Sequence, residues 1–212
     1  MESPPPLSAK FSEALSFAFE LHQNQTRKGE NNNTPYLSHL LAVSSLVLET
    51  QGTEDQAIAA LLHDSVEDQG DSYPGGRDQL RQDIKLRFGE KVLEIVDACT
   101  DDEGFQKALG GDDFESWKKR KKAYLESLSH KAEDALLVSL ADKVHNALSI
   151  LRDYKTDGED LWERFNGGRE GTLWYYDELA EIFGRLIKCS LSDELTNTVN
   201  ELKQLANPAS AL

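Results

Sequence analysis

Residues 59–68 read AALLHDSVED, an apolar run that leads directly into His63, Asp64, Glu67 and Asp68. The apolar run predicts a buried helix, and a charge in such a place is costly unless it is paired or bound to a metal ion. Four residues separate His63 from Glu67 and Asp64 from Asp68, so each pair is expected to stack along one side of the helix. The stretch favours a metal site over a structural cluster of ion pairs.

Two other apolar helical segments carry polar residues of the same kinds. His39 lies among leucines in a segment that Thr34, as N-cap, and Pro35, as first helical residue, are predicted to open. Asp142 follows the residues VSLA at 138–141 on the most apolar predicted helix, 135–151, and Asn146 continues its face. Imidazole and carboxylate ligands suit Mn²⁺, Fe²⁺ or Zn²⁺ better than a thiolate site would.

Helical spacing of apolar residues recurs along the rest of the chain, and no strand-like alternation of useful length appears. Thr53 and Gln56 form a predicted capping box for the helix that runs through 57–62 and on to residue 68. Residues 101–113 are rich in Asp and Gly and predict a loop, and helices are expected at 114–128, 173–188 and 193–205. The fold class expected from this pattern is all-α.

The composition of the chain argues against several classes of protein and of binding partner. The chain has 212 residues and a formal net charge of −15, which argues against a nucleic acid as the main partner. It contains two cysteines, too few for a disulfide framework, and no apolar run approaches the length of a membrane span. We therefore expect a cytoplasmic protein that binds neither nucleic acid nor membrane, with the oligomeric state left open.

The domain organisation is expected to be simple. Residues 1–7, with three consecutive prolines, predict a disordered lead-in, and residues 207–212 predict a short tail. Between them a single domain is expected over 8–206, with a core at 10–155 and C-terminal helices at 158–206. A domain of this size buries enough surface to fold without disulfides.

Several motifs resemble those of a known family. They are Arg27-Lys28, PYLSH at 35–39, AALLHDSVED at 59–68, Phe88-Gly89, Thr100 and LADKVHN at 140–146. The His, the His-Asp doublet and the distal Asp resemble the HD superfamily of metal-dependent phosphohydrolases. The doublet followed by Glu67-Asp68 resembles, more narrowly, the hydrolase domain of the RelA/SpoT alarmone family. Too few residues follow Leu151 for a synthetase domain, so the likeness is to the small stand-alone alarmone hydrolases.

The resemblance implies a fold, a metal site and a reaction. The fold is an HD-type helical bundle, and the cofactor is one divalent ion, Mn²⁺ foremost, with Fe²⁺, Zn²⁺ or another ion as alternatives. The implied metal ligands are His39, His63, Asp64 and Asp142. The implied reaction removes the 3′-diphosphate of guanosine 3′,5′-bis(diphosphate) to give GDP and pyrophosphate.

The resemblance also assigns roles around the metal. Glu67 and Asp68 would orient the attacking water or transfer protons. Arg27, Lys28 and Asn146 would bind the small nucleotide substrate. For Arg27 and Lys28 the assignment rests on the motif positions and on the use of a local basic pair in an acidic chain. Asn146 is assigned because it lies one turn beyond the implied metal ligand Asp142.

Two other functions stay open at this point. An HD phosphohydrolase for another nucleotide, either a nucleotidase or an NADPH 3′-phosphatase, would keep the same metal site. A non-catalytic nucleotide-binding signalling module is less favoured, because such modules lose metal ligands and this chain retains the whole predicted set.

Overall fold

The computed structural model describes residues 7–27, 33–100 and 113–207. Every regular element within these ranges is a helix, and an isolated antiparallel bridge joins Thr26 to Pro35. The predicted all-α fold is confirmed. Lys28, residues 1–6 of the predicted lead-in, residues 101–112 of the predicted loop and residues 208–212 of the predicted tail lie outside the described residues.

The helices are numbered in chain order. They are α1 (Ala9–His22), α2 (Leu37–Glu49), α3 (Glu54–Leu62), α4 (Ser65–Gln69), α5 (Gly76–Phe88), α6 (Glu90–Cys99), α7 (Phe114–Leu128), α8 (Glu133–Asp157), a 3₁₀-helix (Gly158–Arg164), α9 (Gly168–Leu186) and α10 (Ser190–Ala206). In the part of the chain that the structure covers, none of them is both long enough and apolar enough to cross a membrane.

The chain divides into two compact units. The first takes Met1–Asp101 and Ala132–Asp142, and the second takes Asp102–Lys131 and Lys143–Leu212. The helix α8 contributes residues to both units. The single domain expected over residues 8–206 stays a prediction.

Helix α3 lies at the centre of the first unit. Its residues 57–62 are fully buried, and it packs against α1, α2 and α6. The predicted capping box is confirmed, because the Thr53 hydroxyl accepts a hydrogen bond from the Gln56 backbone N–H and the Gln56 side chain accepts one from the Thr53 N–H. The Gln56 amide also donates to Asp134 Oδ1 at 3.1 Å. This contact fixes the start of α3 against the start of α8.

The predicted start of α2 was wrong. Thr34 and Pro35 do not begin the helix, because Pro35 pairs with Thr26 in the antiparallel bridge after α1 and Thr34 directly precedes it. The Arg27 N–H donates to the Thr34 carbonyl at 3.0 Å, and the Tyr36 N–H donates to the Gln25 carbonyl at 2.8 Å. The helix therefore begins at Leu37, with Tyr36 in the N-cap position.

The single helix predicted through residue 68 was also wrong. It ends at Leu62, and α4 begins at Ser65 after a turn at His63 and Asp64. Asp64 has φ −95° and ψ −2°, values that lie outside the regular α region. Neighbouring residues of a regular helix point about 100° apart, and here the side chains of His63 and Asp64 meet, with Nε2 and Oδ2 3.0 Å apart. His63–Glu67 and Asp64–Asp68 are therefore not stacked pairs of one continuous helix.

In the second unit, Trp117 of α7 packs directly against the backbone of two glycines. A Cβ atom placed on Gly167 would lie 2.5 Å from the Trp117 ring, and one on Gly171 would lie 2.9 Å from it. Real Cβ atoms do not come this close to ring carbons. The glycines at positions 167 and 171 are thus explained by the close approach of an indole ring.

This packing predicts that Gly167→Ala destabilises the protein. Overpacking of this kind costs about 1–3 kcal/mol, which thermal or urea unfolding will measure. Gly184→Ala on the same helix is the matched control, because nothing lies within 4 Å of the added Cβ and alanine stabilises a helix by about 0.5–1 kcal/mol. An unfolding free energy for Gly167→Ala equal to or above that of the original chain would contradict the packing.

Candidate metal centre

Three buried side chains of the first unit converge on one point. One ligand atom each from His39 on α2, His63 at the end of α3 and Asp142 on α8 lies within 4.8 Å of the other two. The nearest approach is 3.2 Å, between His39 Nε2 and Asp142 Oδ1. His63 Nε2 lies 3.7 Å from the same oxygen.

Asp64 completes the cluster from the turn between α3 and α4. Its Oδ2 lies 3.0 Å from His63 Nε2 and 3.7 Å from His39 Nε2. The four residues predicted as metal ligands are therefore brought together, two imidazoles facing two carboxylates. The same Asp64 oxygen accepts a hydrogen bond of 2.5 Å from the Tyr36 hydroxyl.

The tautomer of His63 follows from its surroundings. Its Nδ1 lies 2.9 Å from the Ala60 carbonyl oxygen, which can only accept, so Nδ1 carries the proton and donates. In the neutral ring, Nε2 is then a lone-pair atom that faces Asp64 and Asp142. It is buried and forms no hydrogen bond of regular geometry within the described part of the chain, although Asp64 Oδ2 lies 3.0 Å away. A metal-binding histidine characteristically donates its other ring N–H to a carbonyl or carboxylate, so this arrangement fits a metal ion.

The pKa values of the cluster show how closely its charges interact. Burial lowers the pKa of His39, and the nearby Asp142 carboxylate offsets only part of that effect. Burial also lowers the pKa of His63, but the Asp64 and Asp142 carboxylates outweigh it and raise the pKa well above its ordinary value. Burial opposes the ionised form of Asp64, yet the facing His63 holds the pKa of that carboxyl below its ordinary range. A divalent cation can replace the imidazole proton as the counter-charge for these carboxylates.

The two acidic residues predicted to handle protons lie beside the cluster rather than in it. Glu67 and Asp68 are exposed on α4, one turn after Asp64. Asp68 accepts a hydrogen bond of 2.7 Å from the Gln25 amide. It lines an open, polar depression of about 500 Å³ together with Gln25 and Gln69. Both carboxylates are thus in a position to exchange protons with solvent.

The residues predicted to bind substrate have different surroundings. The guanidinium of Arg27 lies 6.0 Å from the centre of the Tyr36 ring, whose hydroxyl contacts Asp64. Arg27 is therefore separated from a predicted metal ligand by one aromatic ring. Asn146 is half-buried on α8, one helical turn after Asp142. Lys28 is outside the described residues.

Sequence reasoning missed the role of Tyr36, although it lies within the PYLSH motif three residues before His39. Its ring packs between His22 and His39, with ring centres 5.3 Å and 5.4 Å away. Burial, followed by the Asp64 charge, raises its pKa, so the hydroxyl keeps its proton and donates it to Asp64. The one available signal was its spacing from His39, because residues three apart are neighbours at the start of a helix.

The chain is similar to known proteins over most of its length. A family model described as HD domain matches residues 14–173. Guanosine-3′,5′-bis(diphosphate) 3′-pyrophosphohydrolase MESH1 of Xenopus tropicalis is 36% identical over 157 residues, which cover 73% of this chain and 75% of that protein. The human MESH1 is 33% identical over 147 residues, which cover 68% of this chain and 72% of the human protein.

Solved structures agree with these relatives. A metazoan ortholog of SpoT, described as hydrolysing ppGpp and as having a role in starvation responses, superposes with a TM-score of 0.70 at 29% identity. That superposition covers 94% of this chain and 98% of the other. A Listeria monocytogenes protein at 23% identity has a TM-score of 0.63 and shares the fold. The family match, the relatives and the His-His-Asp cluster agree, and the chain belongs to the HD domain family.

Proposed function

We propose that this chain is a metal-dependent phosphohydrolase that removes the 3′-diphosphate of guanosine 3′,5′-bis(diphosphate), giving GDP and pyrophosphate. The observation that carries the proposal is the convergence of two buried imidazoles on two carboxylates, with nitrogen-to-oxygen distances of 3.0–3.7 Å. The names of the relatives, which are hydrolases of this same nucleotide, support the choice of substrate.

The donor set supports a single divalent ion held by His39, His63, Asp64 and Asp142. Two imidazoles and two carboxylates suit Mn²⁺, Fe²⁺ or Zn²⁺, and we propose Mn²⁺, because the site holds no thiolate and half of its donors are oxygens. When bound, such an ion polarises a phosphoryl oxygen and lowers the pKa of water. A cytoplasmic location for the protein also stays a prediction.

The chain's own residues would handle the protons of the reaction. Hydrolysis adds water across the ester bond between the 3′ oxygen and the diphosphate, so one proton must leave the water and one must reach the 3′ oxygen. Glu67 and Asp68 lie on α4 next to Asp64 and are exposed, so they can accept a proton from one side and exchange it with solvent on the other. We assign this proton handling to the two carboxylates.

Arg27, Lys28 and Asn146 are proposed to bind the nucleotide. A guanidinium and an ammonium cannot bind a cation but can pair with phosphate, and a guanidinium also stacks on a base. In a chain with a net charge of −15, the adjacent cationic residues 27 and 28 would lower the repulsion of an anionic substrate.

Replacing Arg27 with alanine tests this assignment. We expect KM to rise about 10- to 100-fold, which corresponds to the loss of one charge-assisted hydrogen bond to the substrate. The metal content should be unchanged. Arg185→Ala is the matched control, because Arg185 is an exposed arginine on α9 paired with Glu181. Kinetics of Arg27→Ala that equal those of the control would contradict a role in substrate binding.

The substrate itself is tested by identifying the phosphate product. The metal-loaded protein is incubated separately with guanosine 3′,5′-bis(diphosphate), NADPH and ordinary nucleotides, and the products are separated by ion-exchange chromatography. We expect GDP and pyrophosphate from the first compound. Orthophosphate from NADPH or from a nucleoside monophosphate, with no pyrophosphate from the first, would identify a phosphatase for another nucleotide.

A further inference from the structure

The side chain of Gln25 takes part in three hydrogen bonds beside the metal centre. Its Nε2 donates to Asp68 Oδ2 at 2.7 Å. Its Oε1 accepts from Gln69 Nε2 at 2.6 Å and lies 2.7 Å from His22 Nδ1. The orientation of the amide is determined, because only its NH₂ group can donate to a carboxylate.

The amide orientation also determines the tautomer of His22. Gln25 Oε1 can only accept, so His22 Nδ1 carries the proton and donates. Burial is the main influence on the His22 pKa and lowers it, which favours the neutral ring. Its Nε2 then accepts from the Ser65 hydroxyl, 3.3 Å away.

These bonds hold both ends of α4. Ser65 is its first residue and directly follows Asp64, and Gln69 is its last. Gln25 contacts the end of the helix directly and its beginning through His22. Its backbone carbonyl also accepts the Tyr36 N–H at 2.8 Å, so the same residue anchors the segment that carries Tyr36 to Asp64.

We propose that Gln25 is a positioning residue that orients the Asp68 carboxylate for proton transfer. The inference rests on the proposed function, which assigns that role to Asp68. A carboxylate on a five-residue helix at the surface can rotate, and the amide donor restricts it to one orientation. A misplacement of about 1 Å at a reacting group can cost about 100-fold in rate.

Gln25→Glu replaces this donor with a carboxylate oxygen. The glutamate has the same shape and keeps an oxygen for His22 and Gln69, but it places a second carboxylate next to Asp68. We expect kcat to fall about 10- to 100-fold, with KM, metal content and melting temperature nearly unchanged. Gln23→Glu is the control, because Gln23 lines the same depression and its amide donates to the Glu20 backbone carbonyl at 3.0 Å, away from Asp68. The kcat of this control is expected to stay within about twofold of the original.

A double-mutant cycle separates positioning from a general structural role. In an Asp68→Asn background, the introduced amide can donate to the carboxylate introduced by Gln25→Glu, and there is no proton acceptor left to orient. Gln25→Glu should therefore cost less than about twofold in that background, measured with a radiolabelled substrate so that slow turnover is quantified. The same 10- to 100-fold loss in both backgrounds would mean that Gln25 acts only on the fold, and would overturn the proposal.

The outcomes distinguish this inference from the function on which it rests. If Asp68→Asn is strongly impaired and Gln25→Glu is not, the positioning role alone is wrong. If Asp68→Asn turns over at the original rate, the assignment of Asp68 to proton transfer is wrong and the role of Gln25 is overturned with it. If the metal-loaded original chain hydrolyses no substrate, the proposed function is wrong and so is this inference.

Discussion

Asp142→Ala should yield a folded protein that retains no metal ion and has no measurable hydrolase activity. Asp142 Oδ1 faces both histidines, 3.2 Å from His39 Nε2 and 3.7 Å from His63 Nε2. Removing it takes away a negative charge that the ion needs and an oxygen ligand. Metal content per chain, measured by elemental analysis after dialysis, should fall from one to near zero.

The same variant should also lose the stabilisation that metal confers. An ion that binds the folded state and not the unfolded state raises the free energy of unfolding by about 2.7 kcal/mol when its free concentration is 100 times the Kd. We therefore expect Mn²⁺ to raise the melting temperature of the original chain and to leave that of Asp142→Ala unchanged. Asp153→Ala is the control on α8, because Asp153 pairs with Arg164 outside the cluster. A metal-dependent rise in the melting temperature of Asp142→Ala would contradict its role as a ligand.

Glu67→Ala should also lose turnover but, unlike Asp142→Ala, it should keep its metal ion. Its carboxylate is exposed on α4 and lies outside the buried group of His39, His63 and Asp142. General acid–base help is worth about 10²- to 10⁴-fold, so we expect kcat to fall by that factor. Steady-state kinetics and metal analysis on the same preparation will show the two effects separately.

Glu94→Ala, which replaces an exposed glutamate on α6, serves as the control for the loss of one surface charge. A metal-free Glu67→Ala protein would mean that Glu67 is itself a ligand, and the proposed ligand set would be wrong. A metal-loaded and fully active Glu67→Ala protein would transfer the proton-handling role to Asp68 alone.

The sequence predicted which side chains form the cluster better than it predicted the backbone conformation that carries them. His39, His63, Asp64 and Asp142 stood out because buried polar residues in apolar helices need a partner, and the structure brings them together. The turn at His63 and Asp64 was missed because the spacing of apolar and polar residues continues through it unchanged. A change of backbone conformation at one residue does not alter the periodicity of apolar and polar residues in the sequence.

The surroundings of the cluster were missed for a different reason. The start of α2 and the position of Tyr36 depend on a bridge between Thr26 and Pro35, and backbone hydrogen bonds between separate segments are not encoded in local spacing. The network of Gln25 likewise joins separate segments, because its side chain connects the end of α1 to α4. The residue types in the sequence predicted which side chains are reactive. Which side chains orient them is determined by contacts between distant segments of the chain.

The central claim is that hydrolysis depends on one metal ion held by the His-Asp cluster. Its most direct test is a titration of the chelated protein with Mn²⁺, in which bound metal and pyrophosphate release from guanosine 3′,5′-bis(diphosphate) are measured on the same samples. We expect both to be absent in the chelated protein and to rise together until one ion is bound per chain. Pyrophosphate release at the full rate from the chelated, metal-free protein would contradict the account.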